Sequence, residues 1–592
     1  MRGESALLYA NEVGLDPPRI TRPPGRRSVR GRRCVPAVGL WVLLSALPGA
    51  AEAQTALQPP LQAPQSQGEP IEPPADFTVG RFVVEGEDAR YAAATERILA
   101  KLRDHPVKLE AIRAAAAQIQ QLYVAAGHFL ALVSLPSQDV PAGGEFRLQV
   151  IHRSIQVVNV DGIPKPYRDR VLAFMKPMLG RSSLTRAQFQ RAILNASALP
   201  ALNLKSTLET GATDDAVTLV LTGDYRAFSN VLSVDNAMPA IVGRNSVTLL
   251  SAYNPALRFV DQVSLAVSTA ADADGLGARS PRRLLEAAVR TPIGISGAEI
   301  DYRYTWSAIN PSALANPDQA DNALLDTDSI YRRAAVHATY PLIKIHYTSL
   351  VASAGIDATA LIQTANPYGS ARFDDQLRVL HLGLALEQIF DPGTQLTLGA
   401  DFSKGINGLG SRSPAQATPA APLSQAGASN TFTKWEAHGT LHRDLPAKLA
   451  AELQVRAQYV ADNPVLLTEK FTLGGPTDLS AYDYASFSGD RGWVARAELQ
   501  HTVKWDRGGT TNATQSYLFA ARGEIVNLGV IAAEPRTEVG AAAGLGLRAS
   551  LGRASAHVGP VDLSGELARQ FNPVSSGAPS HWRVNFSVSM HF

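Results

Sequence analysis

From Ala227 to Phe592 the sequence runs as short segments of alternating apolar and polar residues, separated by clusters of Gly, Pro, Asn and Asp. Alternation of this kind is strand periodicity, because successive side chains of a strand leave opposite faces. Read in order, strands begin near Asn230, Asn245, Gln262, Arg283, Gly297, Tyr331, His346, Gln376, Thr394, Thr431, Leu449, Trp493, Ser516, Val539, Ser555 and His581, sixteen in all. Their connections alternate in length. FDPG (390–393) and LPAK (445–448) are tight turns, whereas 307–330 and 407–430 are long and polar. An even number of antiparallel strands, with short turns at one end and long loops at the other, predicts a closed barrel whose outer face meets lipid. The final strand fits this: Phe586, Val588, Met590 and Phe592 share one face, and Asn585, Ser587, Ser589 and His591 share the other. A propeller would show a repeat of about 40–50 residues, which is absent. A helical membrane protein would need a later run of about 18 apolar residues, also absent.

Upstream the texture differs. GRRCVPAVGLWVLLSALPGAAEA (31–53) combines Arg32 and Arg33, an apolar run from Val35 to Leu47, and a small-x-small site at Ala51–Ala53. That three-part pattern predicts a secretory signal, so 1–53 is read as leader and signal peptide. Of 55 basic and 53 acidic residues this leader holds eight and four, which leaves 47 and 49 and makes the exported chain slightly acidic. No basic patch then argues for a nucleic-acid partner. Cys34, the single cysteine, lies in the leader, so disulfides, thiolate metal sites and cysteine nucleophiles are not expected beyond it. Residues 54–76 contain six prolines and no helical period, and form a semi-rigid linker. Two units of like order follow, 77–153 and 154–226. In the first, FTVGRFVVEG (77–86) alternates, then Leu109, Ile112, Ala116, Ile119 and Tyr123 share a helical face up to Gly127, and strands follow at 128–136 and 145–152. In the second, a strand at 154–162 precedes helices near 165–179 and 186–198 and strands at 203–211 and 216–223. The fold class is therefore mainly β: a 16-stranded antiparallel transmembrane β-barrel over 227–592, preceded by two small α/β modules.

Specific residues resemble a known family. Gly127 with LVSLPSQDVPAGGEFRLQV (132–150), Asp235-Asn236, Gly243, Asn254-Pro255 and Asp261 at the first barrel strands, and Gly474-Gly475 with Gly489-Asp490-x-Gly492 and Glu498-Leu499 all resemble the two-partner-secretion transporters, the exporters of filamentous haemagglutinin and haemolysin. The resemblance implies that the α/β units are POTRA modules and that the segment after the eleventh strand is the sixth surface loop. In the family that loop folds into the lumen as a plug, tipped by Val-Arg-Gly-Tyr/Phe, whose Arg meets an Asp in a Phe-x-Asp-x-Gly motif on the thirteenth strand. Here the tip aligns as Leu479-Ser480-Ala481-Tyr482, framed by Gly474, Gly475, Gly489, Asp490 and Gly492, and the wall motif aligns as Phe519, Ala521 and Gly523. Both members of the ion pair are missing. Their joint loss avoids a stranded charge, which would cost roughly 3–5 kcal/mol, and leaves the loop held more weakly, or by Tyr482 and other contacts. Asp483 with Arg522 could form a charge-reversed pair, although alternation turns Arg522 away from Phe519 and Ala521.

The resemblance further implies passive export of a secreted exoprotein with an N-terminal secretion domain, an outer-membrane location with periplasmic modules, contact with outer-membrane lipid, and insertion by the barrel-assembly machinery through the C-terminal signal at Phe592. Docking would use strand addition at the module edges, 128–135 and 203–209. An N-terminal plug helix, present in some members, does not fit into 54–76. A barrel-insertion factor of the same superfamily and a simple pore are the rival readings. No Gly-x-Ser-x-Gly or His-Glu-x-x-His occurs, so no catalytic, cofactor or metal site is expected, and His337, His346 and His381 read as wall residues. Asp490 and Glu498 read as braces of the loop and its strand. Gly540, Gly544 and Gly546 read as tight packing.

Overall fold

The computed structural model describes residues 77–592 except 142, 256–260, 272–274, 278–279, 312–326, 366–369, 462, 508–509, 530–534, 553–558 and 573–580. The expectations for the leader, the linker and a plug helix concern residues 1–76, which lie outside the described residues. The described chain divides into two compact units, one built mainly from residues up to Tyr225 and one from Arg226 onward.

In the first unit, β1 (Phe77–Glu85), α1 (Ala92–Leu99), β2 (Pro106–Val107), α2 (Leu109–Ala125), β3 (Ala131–Ser134) and β4 (Gly144–His152) form one α/β module. Its sheet order is β2-β1-β4-β3, with β1 and β4 parallel. α2 turns Ile112, Ala116, Ile119 and Tyr123 onto Val79, Phe82, Phe146 and Leu148, the stripe that its period predicts. Gly127 follows at φ +98, a left-handed stop that a side chain would strain. The second module contains β5 (Ser154–Gly162), α3 (Lys165–Met175), α4 (Arg186–Ser197), β6 (Leu202–Thr210) and β7 (Ala216–Tyr225), in sheet order β5-β7-β6. Thr185 and Gln188 close a reciprocal capping box at the start of α4.

The two module edges differ in their free groups. On β3 the outward N–H groups are already used: Ala131 donates to the His128 carbonyl at 3.2 Å and Val133 to Gln120 Oε1 at 3.3 Å. On β6 the Leu202 N–H bonds back to Leu199 and the Gly211 N–H bonds to Ala216. Alternation between these two points sends the N–H groups of Leu204, Ser206 and Leu208 away from β7, toward the open edge.

The second unit is the barrel: β8 (Phe228–Asp235), β9 (Ser246–Tyr253), β10 (Gln262–Ala270), β11 (Arg282–Ile293), β12 (Ala298–Ile309), β13 (Thr327–Ile345), β14 (Thr348–Ala365), β15 (Ser370–Asp391), β16 (Thr394–Gly405), β17 (Thr433–Leu445) and β18 (Leu449–Val460). A small hairpin of β19 (Phe471–Leu473) and β20 (Phe487–Gly489) interrupts the wall, which resumes with β21 (Arg491–Arg507), β22 (Thr510–Val526), β23 (Thr537–Leu551), β24 (Val561–Gln570) and β25 (Trp582–His591). Sixteen strands close into one barrel, with β25 pairing β8 from Ser587↔Asp235 to His591↔Val231. At the seam Asn236 Nδ2 donates to the Val584 carbonyl, and its Oδ1 accepts from the Phe586 N–H. Strand pairing was legible in the sequence; strand length was less so. β15 and β22 begin six residues before the alternation suggests, at Ser370 and Thr510. β13, β14 and β15 have 19, 18 and 22 residues, against the ~9–11 needed to cross a bilayer. Beyond lipid no apolar outer row is required, so the pattern fades while pairing continues.

Exposed Leu249, Leu265, Leu382, Leu384, Trp435, Leu518 and Leu545 face outward, and buried Ser264, Ser268, Glu286, Thr305 and Asp357 face the lumen. This is the reverse of a soluble core and the expected polarity of a lipid-embedded barrel. Leu384→Arg on the outer face should therefore destabilise the barrel by roughly 2–4 kcal/mol, the range for a charge near the bilayer midplane. The expected readout is a lower temperature for loss of the folded band in heat-modifiability gels. Luminal Ser353→Arg should leave that temperature closer to the parent's.

Candidate functional site

The sixth long connection, 461–490, leaves β18, the eleventh barrel strand, and re-enters the wall at β21, the twelfth. Between them the β19–β20 hairpin packs Phe471, Leu473 and Phe487 with Leu479, Ala481 and Tyr482 against Tyr517, Phe519, Ala521, Ile525, Ala542 and Ala568 on the wall. The tip is a turn in which the Tyr482 N–H bonds the Leu479 carbonyl at 2.9 Å. All four tip residues are buried, Leu479 and Ser480 completely. Two framing glycines are required by geometry. Gly474 (φ +113) and Gly475 (φ +97) lie in the left-handed region, and a Cβ on Gly474 would sit 2.3 Å from the Asp483 carbonyl oxygen. Gly489, Gly492 and Gly523 leave room for Ile525, Phe471 and Leu473 respectively. Gly540, expected only as tight wall packing, makes space for Leu479 at the tip.

The ion pairs named here between loop and wall have one polarity. Its carboxylates meet cations on the wall: Glu469 meets Lys434 Nζ of β17 at 2.8 Å, Asp478 meets Arg456 of β18, and Asp483 meets Arg583 of β25 with Arg244 at 3.6 Å. Lys434 is fully buried and also meets Glu436 at 3.2 Å. At the tip, Arg496 of β21 donates to Ser480 Oγ at 3.1 Å. The same guanidinium donates to Glu498 at 2.9 Å and Glu566 at 2.6 Å and stacks 3.8 Å over Phe519. Glu498 in turn takes both arms of Arg548 at 2.8 Å. Asn585 Nδ2 donates to the Ser480 carbonyl at 2.7 Å, and Tyr482 Oη donates to the carbonyls of Ala541 and Asn572. At the loop's end Asp490 is fully buried. Its two oxygens accept the N–H groups of Val465 and Leu528 at 2.8 and 2.7 Å, so it ties the loop's stem to the next long loop. The brace expected of Asp490 is present, and Glu498 acts one step removed, by holding Arg496.

A family model described as haemolysin secretion/activation protein ShlB/FhaC/HecB matches residues 370–547, and one described as POTRA domain, ShlB-type, matches 77–152. The two matches fall on the first module and the middle of the barrel, and mark the chain as an outer-membrane transporter of the two-partner-secretion type. It is 21% identical over 432 residues to the outer membrane transporter CdiB of Escherichia coli O6:K15:H31 (strain 536 / UPEC), 72% of this chain and 69% of that one. Among solved structures it is similar to CdiB from Escherichia coli (TM-score 0.63, 19% identity, 90% of this chain and 94% of that one) and to CdiB from Acinetobacter baumannii (0.58, 14%, 91% and 95%). It also shares its fold with BamA from Haemophilus ducreyi lacking POTRA domains 1-3 (0.50, 12%, 87% and 100%). The transporter resides in the outer membrane with its POTRA modules periplasmic.

Within this family the loop's anchoring is inverted. Where the motif implies a loop arginine and a wall aspartate, the loop presents Ser480 and the wall presents Arg496, directly across the β21–β22 ladder from Ala521. The alanine leaves room for the arginine's neighbours, and the acids have moved to Glu498 and Glu566. Of the two expectations for the loop, a weaker hold or a hold by Tyr482 and other contacts, the geometry matches the second: Tyr482, four wall cations and Asn585 bond to it or its carboxylates. The Asp483–Arg522 alternative is corrected. Arg522 is exposed on the outer face and Asp483 pairs with Arg583, as strand alternation requires. Ala481 substitutes for glycine without strain, since its φ is not positive. Arg496 lies outside the motif positions, and its luminal parity two residues before Glu498 is the one sequence signal for it. His337 and His381, which no linear ligand spacing joins, are brought to one place by β13 and β15, whereas His346 lies in a turn.

Restoring the family's arginine should loosen this loop. Ser480→Arg places a second guanidinium against Arg496 inside the wall, and like charges at that distance repel strongly. Planar-bilayer recordings should show larger or more frequent open-channel currents for Ser480→Arg. Ser480→Arg with Arg496→Ala moves the arginine from wall to loop, keeps Glu498 and Glu566 paired, and should return currents toward the parent's. Parental currents in Ser480→Arg alone would count against a charge-set anchor.

Proposed function

We propose that the protein exports one extended exoprotein, received through its N-terminal secretion domain at the second POTRA module, past a lumen that the 461–490 loop plugs at rest. The observation that carries this reading is the loop itself: a buried tip tied to β17, β18, β21 and β25 by separate polar contacts. A simple pore has no use for such a plug, and separate contacts can be released in sequence. Transport of this kind needs no covalent step. Arriving chain would exchange its own contacts for those of the loop, so catalytic residues are not part of the reading. The outward apolar band serves lipid, and Phe592, beside the closing strand pair, serves as the signal to the barrel-assembly machinery.

The module edges are unequal as docking sites. Strand addition requires free N–H and C=O groups along an edge. β3 has its outward donors occupied by His128 and Gln120, so the edge expected at 128–135 is blunted. β6 retains the open row, which supports the expectation at 203–209 and narrows docking to it. An assembly factor of the same superfamily would use such edges for many barrel precursors. The secretion reading commits to one partner.

Proline at an outward N–H position leaves the home ladder intact and removes one docking donor. Ser206→Pro should therefore lower the exoprotein recovered outside the cell by roughly tenfold, about 1.4 kcal/mol of docking, at unchanged barrel abundance. Export at parental levels would exclude strand addition at β6. A parallel loss of other outer-membrane barrels would favour the assembly factor.

A further inference from the structure

We infer that the luminal wall carries a divalent transition-metal site formed by His337 of β13, Asp357 of β14 and His381 of β15. One ligand atom from each residue lies within 4.8 Å of the other two. The strands are neighbours in the barrel, and all three positions have luminal parity. His337 Nε2 is 2.7 Å from Asp357 Oδ1, and His381 Nε2 is 3.3 Å from Asp357 Oδ2. The second contact is out of hydrogen-bond alignment, which leaves His381 Nε2 as a buried ring nitrogen facing a carboxylate without a bond. A buried polar atom in that position calls for a partner. A metal ion between the two rings and the carboxylate supplies one.

The surroundings are those of a ligand set held from behind. Ser403 Oγ, fully buried on β16, lies 3.0 Å from His381 Nδ1, which fixes the ring with Nε2 toward the site. Arg333 Nε donates to Asp357 Oδ2 at 2.8 Å, and Oδ1 is hydrogen-bonded to His337 Nε2 at 2.7 Å, so a metal would take Oδ1 and that ring nitrogen by displacing the proton they share. Gly355 lies beside the His337 ring, and a Cβ there would come within 2.5 Å of His337 Cδ2, so the glycine makes the ring's position possible. Two imidazoles and one carboxylate suit Zn²⁺, Co²⁺ or Ni²⁺ better than Mg²⁺ or Ca²⁺, which take oxygen ligands. Three protein ligands leave one tetrahedral position for water. The Arg333 charge opposes the ion and lowers its affinity, but the same arginine orients the carboxylate. Bound metal would tie three adjacent strands together at their luminal face.

The test uses the full, untagged protein in detergent, stripped with chelator and titrated with Co²⁺ and then Zn²⁺. The expected result is one equivalent of Co²⁺ with visible ligand-field bands that Zn²⁺ displaces. His337→Gln with His381→Gln should abolish the bands, and Ser403→Ala should weaken binding about tenfold, as loss of a supporting partner does. His442→Gln, at another luminal histidine paired with Glu452 and Asp444, should bind as the parent does. Heat-dependent gel mobility reports that each variant is folded, and His381→Asn replaces the double variant if that one is not. Absence of a saturable spectrum in the parent overturns the site. So does parental binding in the folded histidine variants.

Discussion

Everything in the second unit depends on one constraint: within lipid, each backbone N–H and C=O must find a partner inside the protein. Sixteen strands meet it by closing β25 onto β8, and Asn236 completes the seam with bonds to both Val584 and Phe586. Closure divides every strand into a row that faces lipid and a row that faces the lumen. That division explains why leucines and tryptophans are exposed while serines, arginines and glutamates are buried. It also creates a lumen that must be filled or left open, and the chain fills part of it with its own loop.

The way that loop is held follows from burying charge. An isolated ion in the wall would be prohibitively costly, so each is placed opposite a counter-ion or in a network. The polarity of the arrangement is free, provided it is complete. Here the wall holds the cations and the loop the acids, and the tip arginine of the family has become Arg496 of β21, shared among Ser480, Glu498 and Glu566. Such networks add little net stability compared with apolar packing, but they fix position. The apolar cluster of Leu479, Phe487, Phe519 and Ile525 supplies the burial, and the ion pairs join the loop to β17, β18 and β25 around it. If the loop is the plug proposed above, contacts that water or an incoming chain can replace suit its release.

The modules obey a related rule outside the membrane. A sheet edge is a hazard unless it is short, covered or used. β3 is short and has its outward donors occupied, whereas β6 is longer and open. The contrast between two modules of the same order is what supports the proposal that the second receives the partner. Exposed edges in a periplasmic domain carry information because the default is to hide them.

Sequence alone determined the architecture. Period-2 alternation, alternating loop lengths and an apolar stripe along Ile112, Ala116, Ile119 and Tyr123 are local patterns, and local patterns are set by backbone geometry. They yielded the strand number, the place of the loop after the eleventh strand, and the two faces of the last strand, together with the direction of Arg522 opposite to Phe519 and Ala521. Only the tertiary structure decided what holds the loop. Arg496, Arg456, Lys434 and Arg583 lie from 16 to 100 residues away from the loop hydroxyl and carboxylates they serve, on either side of them in sequence, and no spacing rule links them. The same holds for His337, Asp357 and His381, which meet because three strands lie side by side. Alternation tells which side of the wall a residue faces, but the height at which it meets another is fixed by register, and register is settled only when the barrel closes.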